Sequence, residues 1–249
     1  MIDGRAPVEV FDEIDSTLLE ARRRAERGDY GPVWLIAKRQ SAGRGRRGRA
    51  WSSFEGNLLA TSLFVTPQPA AQIALLGFAA GVAIAEAIDE VIGAGAAQLK
   101  WPNDVLIGDA KIAGILVDSG AVDTQANWVA LAFGINLASA PDNIDQAATS
   151  LREHLPPDAA APEPLAFLAA IRPKLELWAA RIVGEGFEPL RRAWLQRAYG
   201  MGREAHIVQG EQAIDGRLAG LSPRGELELD TATGRRLIAA GDVFLSGVG

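Results

Sequence analysis

The sequence predicts an α/β (α+β) protein in which a main domain, residues 1–199, is followed by a small β domain, residues 200–249. Two observations carry this prediction. Strand-like and helix-like segments alternate through the main domain, whereas only short alternating strands with tight turns follow Gly200. In addition, apolar residues make up 48% of the 249-residue chain, which is enough to form a buried core.

The main domain divides into strands and helices separated by glycine and proline. Apolar runs between these breakers predict strands at 8–11, 32–38, 58–65, 98–101, 105–107, 112–118 and 128–137. Helical spacing of apolar residues predicts helices between Ser16 and Gly28 and at 70–92, 165–183 and 187–199, with Ser16 as a possible N-cap. Gly108-Asp109 predicts a hairpin, and the polar stretch 139–149 predicts a loop.

The small domain has a different pattern. Short strands are predicted at 205–208, 213–218, 226–229, 237–238 and 243–245. Because tight turns separate strands of similar length, we expect a small β-barrel of about 50 residues.

Composition excludes several classes of protein. The chain has no cysteine, which excludes disulfides, thiolate zinc sites and a cysteine nucleophile. Its net charge of −6 argues against a dedicated nucleic-acid-binding protein. The N-terminus lacks the apolar core of a signal peptide, and the apolar run at 73–85 is shorter than the roughly 20 residues that span a bilayer. We therefore expect a cytoplasmic protein that does not bind membranes.

A dense basic segment interrupts this acidic chain. Between positions 38 and 51 the basic residues are Lys38, Arg39, Arg44, Arg46, Arg47 and Arg49, and the glycines are Gly43, Gly45 and Gly48. The segment matches G-x-G-x-x-G, but no helical pattern follows it, so we reject a dinucleotide-binding site. A loop of this kind can hold an anion and close over it. A solvated basic turn and a nucleic-acid patch are the alternatives.

A second group of charged residues follows the long central helix. Lys100-Trp-Pro-Asn-Asp104 precedes Lys111, which opens an apolar strand that also contains Gly114. Lys100 and Asp104 could form an ordinary surface ion pair, and Trp101 could be a packing residue. Two lysines, nearby arginines and one carboxylate also suit a phosphate with Mg²⁺ held by Asp104.

Five segments, taken in order, resemble the biotin protein ligase family. They are Asp15-Ser-Thr17, Gln40-Ser-Ala-Gly-Arg-Gly-Arg-Arg-Gly-Arg-Ala-Trp51, Lys100-Trp-Pro-Asn-Asp104, Lys111-Ile-Ala-Gly-Ile-Leu116 and Gly134-Ile-Asn136. The resemblance implies a class II synthetase-like catalytic domain around a mixed sheet and a C-terminal SH3-like barrel. It also implies the monofunctional form, which lacks the N-terminal DNA-binding domain and is not expected to bind DNA.

The resemblance assigns roles to individual residues. The catalytic group would be Arg44, Lys111, Lys100 and Asp104, with Asp104 also holding Mg²⁺. Biotin would contact Ser16, Thr17, Leu18, Gln40, Gly43, Arg44, Gly45, Arg46, Lys111, Gly114 and Leu116. ATP and the adenylate would contact Arg44, Arg46, Arg47, Arg49, Trp51 and Asn136, with Trp51 on the adenine. Leu18 stands where family members often have asparagine, so only a backbone contact is expected there. For Gly114 and Leu116, plain strand packing is the alternative.

The implied reaction is ATP-dependent biotinylation of a lysine on a biotin carboxyl carrier domain, of acetyl-CoA carboxylase or a related carboxylase, through biotinyl-5′-AMP. A homodimer is left open. Three other functions remain as alternatives: a lipoate or octanoate ligase of the same architecture, a non-enzymatic RNA-binding module that uses the basic loop, and an interaction protein that docks through its small barrel.

Overall fold

A seven-stranded sheet organises the main domain of the computed structural model, which describes residues 2–142, 147–210 and 212–245. Its strands are β1 Val8–Ile14, β2 Val33–Gln40, β3 Leu58–Thr66, β4 Ala97–Lys100, β5 Asp104–Ile107, β6 Ala110–Ala121 and β7 Asn127–Ile135. They lie in the order β1-β2-β3-β7-β6-β5-β4. Only β1 and β2 run parallel and the other neighbours are antiparallel, so the sheet is mixed, as expected.

Helices cover both faces of this sheet. They are α1 Thr17–Glu26, α2 Ala70–Ala74, α3 Leu76–Ile92, α4 Pro164–Glu185 and α5 Glu188–Leu195. Successive residues of a strand point to opposite faces. Val33 and Leu35 of β2 accordingly pack with Ala21 of α1, whereas Trp34 and Ile36 join the larger core that contains α3 and α4.

The helices follow their predicted positions, with two differences. As predicted, Ser16 caps α1 by accepting a hydrogen bond from the Leu19 N–H at 3.5 Å. The two differences concern the later helices. The helix predicted over 70–92 is interrupted at Leu75. The last predicted helix ends early, because the chain after Leu195 turns to pair with β4: the Tyr199 N–H donates to the Leu99 carbonyl at 2.9 Å.

By length and composition, residues Ala70–Ile92 form one helical stretch that could cross a membrane. Within this fold, 72% of its most apolar part is buried. The stretch is therefore accounted for as the central core helix, against which α4, α5 and several strands pack.

The small domain is a five-stranded antiparallel sheet. Its strands are β8 Glu204–Gln209, β9 Gln212–Leu221, β10 Leu227–Thr231, β11 Gly234–Ile238 and β12 Asp242–Leu245, in the order β11-β10-β9-β8-β12. All five strands were predicted, but the closed barrel was wrong. The last strand pairs with β8, in register Asp242 with Val208. Consequently, β11 and β12 are the two edge strands of this sheet, and within the described residues they do not pair to close a barrel.

Trp101 joins the two domains. Its side chain is 4% exposed, and its indole N–H donates to the Gly225 carbonyl at 3.1 Å. Gly225 has φ +84°, and a Cβ there would lie 2.9 Å from the Phe78 ring. Buried residues of both domains belong to one continuous core. The packing interpretation of Trp101 is therefore correct, and the second domain is held firmly against the first.

We expect Trp101→Ala to lower the free energy of unfolding by about 3–5 kcal/mol, because it leaves a cavity in this core and an unpaired carbonyl. The measurement is the midpoint of urea denaturation. Phe244→Ala is the matched control, since this aromatic side chain is 53% exposed and its loss should change stability by only about 0.5 kcal/mol. Equal effects of the two substitutions would contradict the joining role of Trp101.

Candidate active site

The residues singled out from the sequence converge on a cavity of about 310 Å³. It opens between the start of α1, the basic loop after β2 and the central strands of the large sheet. The predicted site residues that line it are Ser16, Thr17, Leu18, Gln40, Arg44, Gly45, Arg46, Arg49, Trp51, Asp104, Lys111, Gly114, Leu116 and Asn136. Three other predicted site residues, Gly43, Arg47 and Lys100, are not among the residues that line it.

One end of the cavity is a polar corner built on Thr17. Its backbone N–H and its hydroxyl both donate to Gln40 Oε1, at 2.7 and 3.1 Å. The Thr61 hydroxyl in turn donates to the Thr17 hydroxyl at 2.8 Å. These bonds fix the Gln40 amide, and its Nε2 donates to no other described residue. This end can therefore recognise a small polar group.

The basic segment folds as a short hairpin over the cavity. Arg44 pairs with Ala50, and the Trp51 N–H donates to the Gly43 carbonyl at 2.9 Å. At the tip, Arg47 adopts a left-handed backbone conformation with φ 53°, which is unfavourable for a non-glycine residue. Gly43 cannot carry a side chain, because a Cβ would lie 2.5 Å from the Trp51 carbonyl oxygen.

The arginines of the hairpin differ in their partners. Three of them surround Asp242 of β12: Arg47 Nη1 lies 3.0 Å, Arg49 Nη2 2.9 Å and Arg46 Nη1 3.7 Å from its carboxylate. Burial lowers the pKa of Arg46, and the nearby Asp242 carboxylate partly opposes that shift. Arg44, in contrast, pairs with no carboxylate in the described part of the chain. It is the arginine most available to a ligand.

Lys111 and Asp104 form the central ion pair, with Lys111 Nζ 2.6 Å from Asp104 Oδ1. The backbone of Lys111 is held by the returning loop, since its N–H donates to the Ala147 carbonyl at 2.8 Å and its carbonyl accepts from Thr149 at 3.0 Å. The loop predicted at 139–149 is seen only in part, because 143–146 lie outside the described residues.

Lys100 lies opposite Asp104 in the β4–β5 register but does not pair with it, so the simple Lys100–Asp104 ion pair considered from the sequence is wrong. No described carboxylate forms an ion pair with Lys100. Burial lowers its pKa from 10.5, an effect that Asp104 opposes and Lys111 reinforces. Lys100 is thus a half-buried cation held close behind the Lys111–Asp104 pair.

We expect Lys100→Met to raise the free energy of unfolding near neutral pH. In wild-type protein the folded-state pKa of Lys100 lies below 10.5, so between that pKa and 10.5 the unfolded state binds more protons and stability rises with pH. The advantage of the methionine variant should therefore be largest near neutral pH and shrink as pH rises toward 10.5. Denaturant unfolding of both proteins at several pH values tests this, and a pH-independent difference would contradict it.

Trp51 lies flat on two facing glycines of β6 and β7. A Cβ on Gly134 would lie 2.4 Å from Trp51 Cε2, and one on Gly114 would lie 3.0 Å from Cζ3. Lys111 Nζ is 5.5 Å from the centre of the ring. The buried indole N–H has no hydrogen-bond partner among the described residues. Because neither glycine has a side chain, the Trp51 ring fits against the sheet and forms part of the cavity wall.

A buried polar network supports the end of β7 and the loop that follows it. Asn136 Nδ2 donates to the Thr149 carbonyl at 3.2 Å, and Asn57 Nδ2 lies 3.5 Å from Asn136 Oδ1. Asn57 Oδ1 also accepts from the backbone N–H groups of Ala138 and Ser139 at 3.0 and 3.2 Å. The network fixes the start of the returning loop that lines the cavity.

Some site residues were not identified from the sequence. Gly134 and Asn103 stand inside two of the quoted segments, but neither was assigned a role. Asn103 Nδ2 donates to the Ile115 carbonyl at 2.9 Å, while its Oδ1 lies 3.4 Å from Arg46 Nη1. Asn57 and Asp242 could not be identified as site residues from the sequence, because neither belongs to a recognisable motif.

The lining fits a magnesium–phosphate ligand better than a metal held by protein alone. Asp104 is the one carboxylate on the described cavity lining. No group of three or more histidine, cysteine, aspartate or glutamate residues suited to a metal occurs in the described ranges. Mg²⁺ commonly uses one or two carboxylates and completes its shell with phosphate oxygens and water. The donor set therefore fits Mg²⁺ that enters with a nucleotide.

The chemistry of the lining is asymmetric. Arg44, Arg46, Arg49 and Lys111 oppose the single Asp104 carboxylate, while Leu59, Ala60, Leu116, Ala132 and Phe133 supply apolar walls. Such a cavity suits a ligand with an apolar body and an anionic end, because fixed cations stabilise negative charge strongly where water is limited.

Comparison with known proteins gives consistent results. Residues 10–136 match the biotin/lipoate A/B protein ligase family, and residues 201–246 match the biotin protein ligase C-terminal domain. The biotin–[acetyl-CoA-carboxylase] ligase of Paracoccus denitrificans is 38% identical over 94% of this chain and 98% of that protein. The bifunctional ligase/repressor BirA of Bacillus subtilis is 31% identical over 94% of this chain and 72% of that protein. Biotin protein ligase from Aquifex aeolicus, in complex with biotin and ATP, has a TM-score of 0.77 at 27% identity, covering 96% of this chain and 98% of that one.

Proposed function

This chain belongs to the biotin/lipoate A/B protein ligase family, and from that membership we propose that it is a biotin protein ligase. It uses ATP to join biotin to a lysine of a carrier protein. The observation that carries the proposal is the cavity in which four cations and one carboxylate meet beside apolar walls. Biotin has the matching character, an apolar body that ends in a carboxylate, and ATP supplies the phosphates.

In the first step a biotin carboxylate oxygen attacks the α-phosphorus of ATP. The new P–O bond forms as the bond to pyrophosphate breaks, which leaves biotinyl-5′-AMP. Both reactants are anionic and repel each other, so Arg44 and Lys111 offset their charge and Lys100 adds to the field from behind. Asp104 would hold Mg²⁺ that comes with the nucleotide, and this ion would add positive charge at the phosphates.

In the second step a neutral lysine amine of the acceptor attacks the carbonyl carbon of the mixed anhydride. The C–N bond forms, the bond to AMP breaks, and the amine releases a proton. Before this step the anhydride must be protected from water. The hairpin from Gly43 to Arg49 covers the cavity and supplies that protection.

Different parts of the cavity would bind different parts of the two substrates. Thr17 and Gln40 face the polar ring of biotin, and Ser16 and Leu18 complete that corner through the start of α1. Trp51, which rests on Gly114 and Gly134, would stack on the adenine of the nucleotide. Asn136 contributes mainly by holding the returning loop, since its amide is engaged by Thr149 and Asn57.

The main alternative within the family is a lipoate or octanoate ligase. The relative at 38% identity, which is named a biotin–[acetyl-CoA-carboxylase] ligase, favours biotin. The deciding experiment is ATP–pyrophosphate exchange with biotin, lipoate or octanoate as the carboxylate. We expect exchange with biotin alone. Exchange with lipoate and not with biotin would show that the proposed substrate is wrong. Salt-dependent RNA binding without any exchange would show that the chain is not the proposed enzyme.

Several partners follow from the proposed activity. The acceptor is the biotin carboxyl carrier domain of acetyl-CoA carboxylase, and transfer of radiolabelled biotin to that domain tests it. Action in the cytoplasm and absence of DNA binding also belong to the proposal. A homodimer is tested by sedimentation with and without biotin and ATP.

A further inference from the structure

We propose that Asp242, in the last strand of the second domain, is a positioning residue that keeps the basic hairpin folded over the cavity and so retains the adenylate. Retention of the adenylate rests on the proposed function, whereas the hold on the hairpin does not. Asp242 is absent from the described cavity lining, so it acts through the arginines and not on the ligand.

The first support is the geometry of the contact. One carboxylate receives three guanidinium groups, with Asp242 Oδ1 at 2.9 Å from Arg49 and Oδ2 at 3.0 Å from Arg47. Arg46 approaches to 3.7 Å and also donates to the Gly241 carbonyl at 3.2 Å. The side chains of Arg46 and Asp242 are each only 20% exposed, so solvent screens this part of the cluster weakly.

The second support is that the hairpin has little to keep it folded apart from its contact with Asp242. It contains four closely spaced arginines that repel one another, three glycines that favour disorder, and Arg47 in an unfavourable backbone conformation. Its internal backbone bonds are few: Gly45 to Arg49 at 2.6 Å, Arg49 to Arg46 at 3.1 Å and Trp51 to Gly43 at 2.9 Å. A carboxylate at its centre therefore offsets most of the repulsion that would open it.

The third support is the rigidity of the base that presents Asp242. The residue pairs with Val208 across the β12–β8 ladder, and its neighbour Val243 is 5% exposed. The second domain is fixed to the first through Trp101 and Gly225. Asp242 is therefore a fixed point against which the hairpin can be held.

The charge balance allows the contact and the ligand to coexist. Three arginines share one carboxylate, so the cluster keeps a positive charge, and Arg44 pairs with no described carboxylate. An anionic adenylate adds negative charge to the cluster and does not displace Asp242, its one carboxylate partner among the described residues. Asp242 should accordingly favour retention of the intermediate.

The test compares Asp242→Asn with Asp230→Asn. Asp230 lies in the same sheet and also pairs with an arginine, Arg235, at 2.8 Å, but at residues outside the hairpin and the cavity lining. Trypsin cleaves after arginine, so the rate of cleavage within 44–49 reports how often the hairpin opens. We expect Asp242→Asn to raise that rate, and the rate of biotinyl-5′-AMP release, by roughly tenfold to a hundredfold. Asp230→Asn should leave both rates unchanged.

Asp242→Glu serves as the conservative variant, and partial return of both rates toward wild type is expected. Circular dichroism of each variant establishes that the second sheet remains folded. Wild-type cleavage and release rates in Asp242→Asn would overturn the proposal. If wild-type protein formed no adenylate, the proposed function would fail, while the cleavage rates would still decide the role of Asp242.

Discussion

Replacing Lys111 by alanine will abolish biotin-dependent pyrophosphate exchange, with an expected loss of at least about a thousandfold. The ammonium group lies 2.6 Å from Asp104, and Lys111 lines the cavity. Its removal leaves the carboxylate without its partner where two anionic substrates must meet, so lost attraction and added repulsion act together. Exchange of labelled pyrophosphate into ATP at saturating biotin measures the effect.

The fold should survive this change, because the backbone of Lys111 is held by Ala147 and Thr149 and not by the side chain. Lys174→Ala is the matched control: this lysine also forms an ion pair, with Glu90 at 2.8 Å, but on residues that do not line the cavity. Full exchange activity in Lys111→Ala would place the phosphate contact on another residue. Partial activity in Lys111→Arg is expected, since charge is kept but the geometry differs.

Replacing Arg44 by alanine will reduce formation of biotinyl-5′-AMP by about a hundredfold to a thousandfold, or let the intermediate escape. Arg46, Arg47 and Arg49 share Asp242, whereas Arg44 lines the cavity and pairs with no described carboxylate. Its charge is therefore free to stabilise the negative charge that gathers on the α-phosphate. Single-turnover formation and filter-trapped retention of labelled adenylate separate the two effects.

Arg39→Ala provides the comparison, because Arg39 belongs to the same basic segment but is 70% exposed and lies 3.8 Å from Glu13. A general loss of positive charge would slow both variants equally, whereas a specific contact would affect Arg44→Ala alone. Unchanged formation and retention of the adenylate in Arg44→Ala would show that the role given to this residue is wrong.

The parts of the fold that local chemistry decides were predictable. Ser16 begins α1 because its hydroxyl can cap the helix, and Gly108 turns the β5–β6 hairpin because it tolerates positive φ, here 58°. Closure of the small domain was not predictable in this way. Whether β12 joins β8 or β11 depends on contacts between distant strands, and the strand pattern of Val243 to Leu245 is compatible with both.

The same distinction applies to the site. Arg44, Lys111 and Trp51 stand in segments whose composition is unusual enough to be noticed, and all three line one cavity. Lys100 was placed close to Asp104 correctly, but the ion pair formed with Lys111 because the bulge in the β5–β6 pairing shifts the register there. Asp242 is a single acid in an ordinary strand, nearly two hundred residues from its arginines, so only the folded chain brings the contact to light.

The core shared by the two sheets also bears on how this enzyme can be recombined with its relatives. Trp101 and Phe78 on one side and Gly225 on the other form a single seam. A chimera that takes its C-terminal fifth from another ligase must therefore match that seam as well as the acidic residue that faces the hairpin. Exchange of one side alone is expected to leave a cavity or a clash at this seam and so to lower the stability of the chimera.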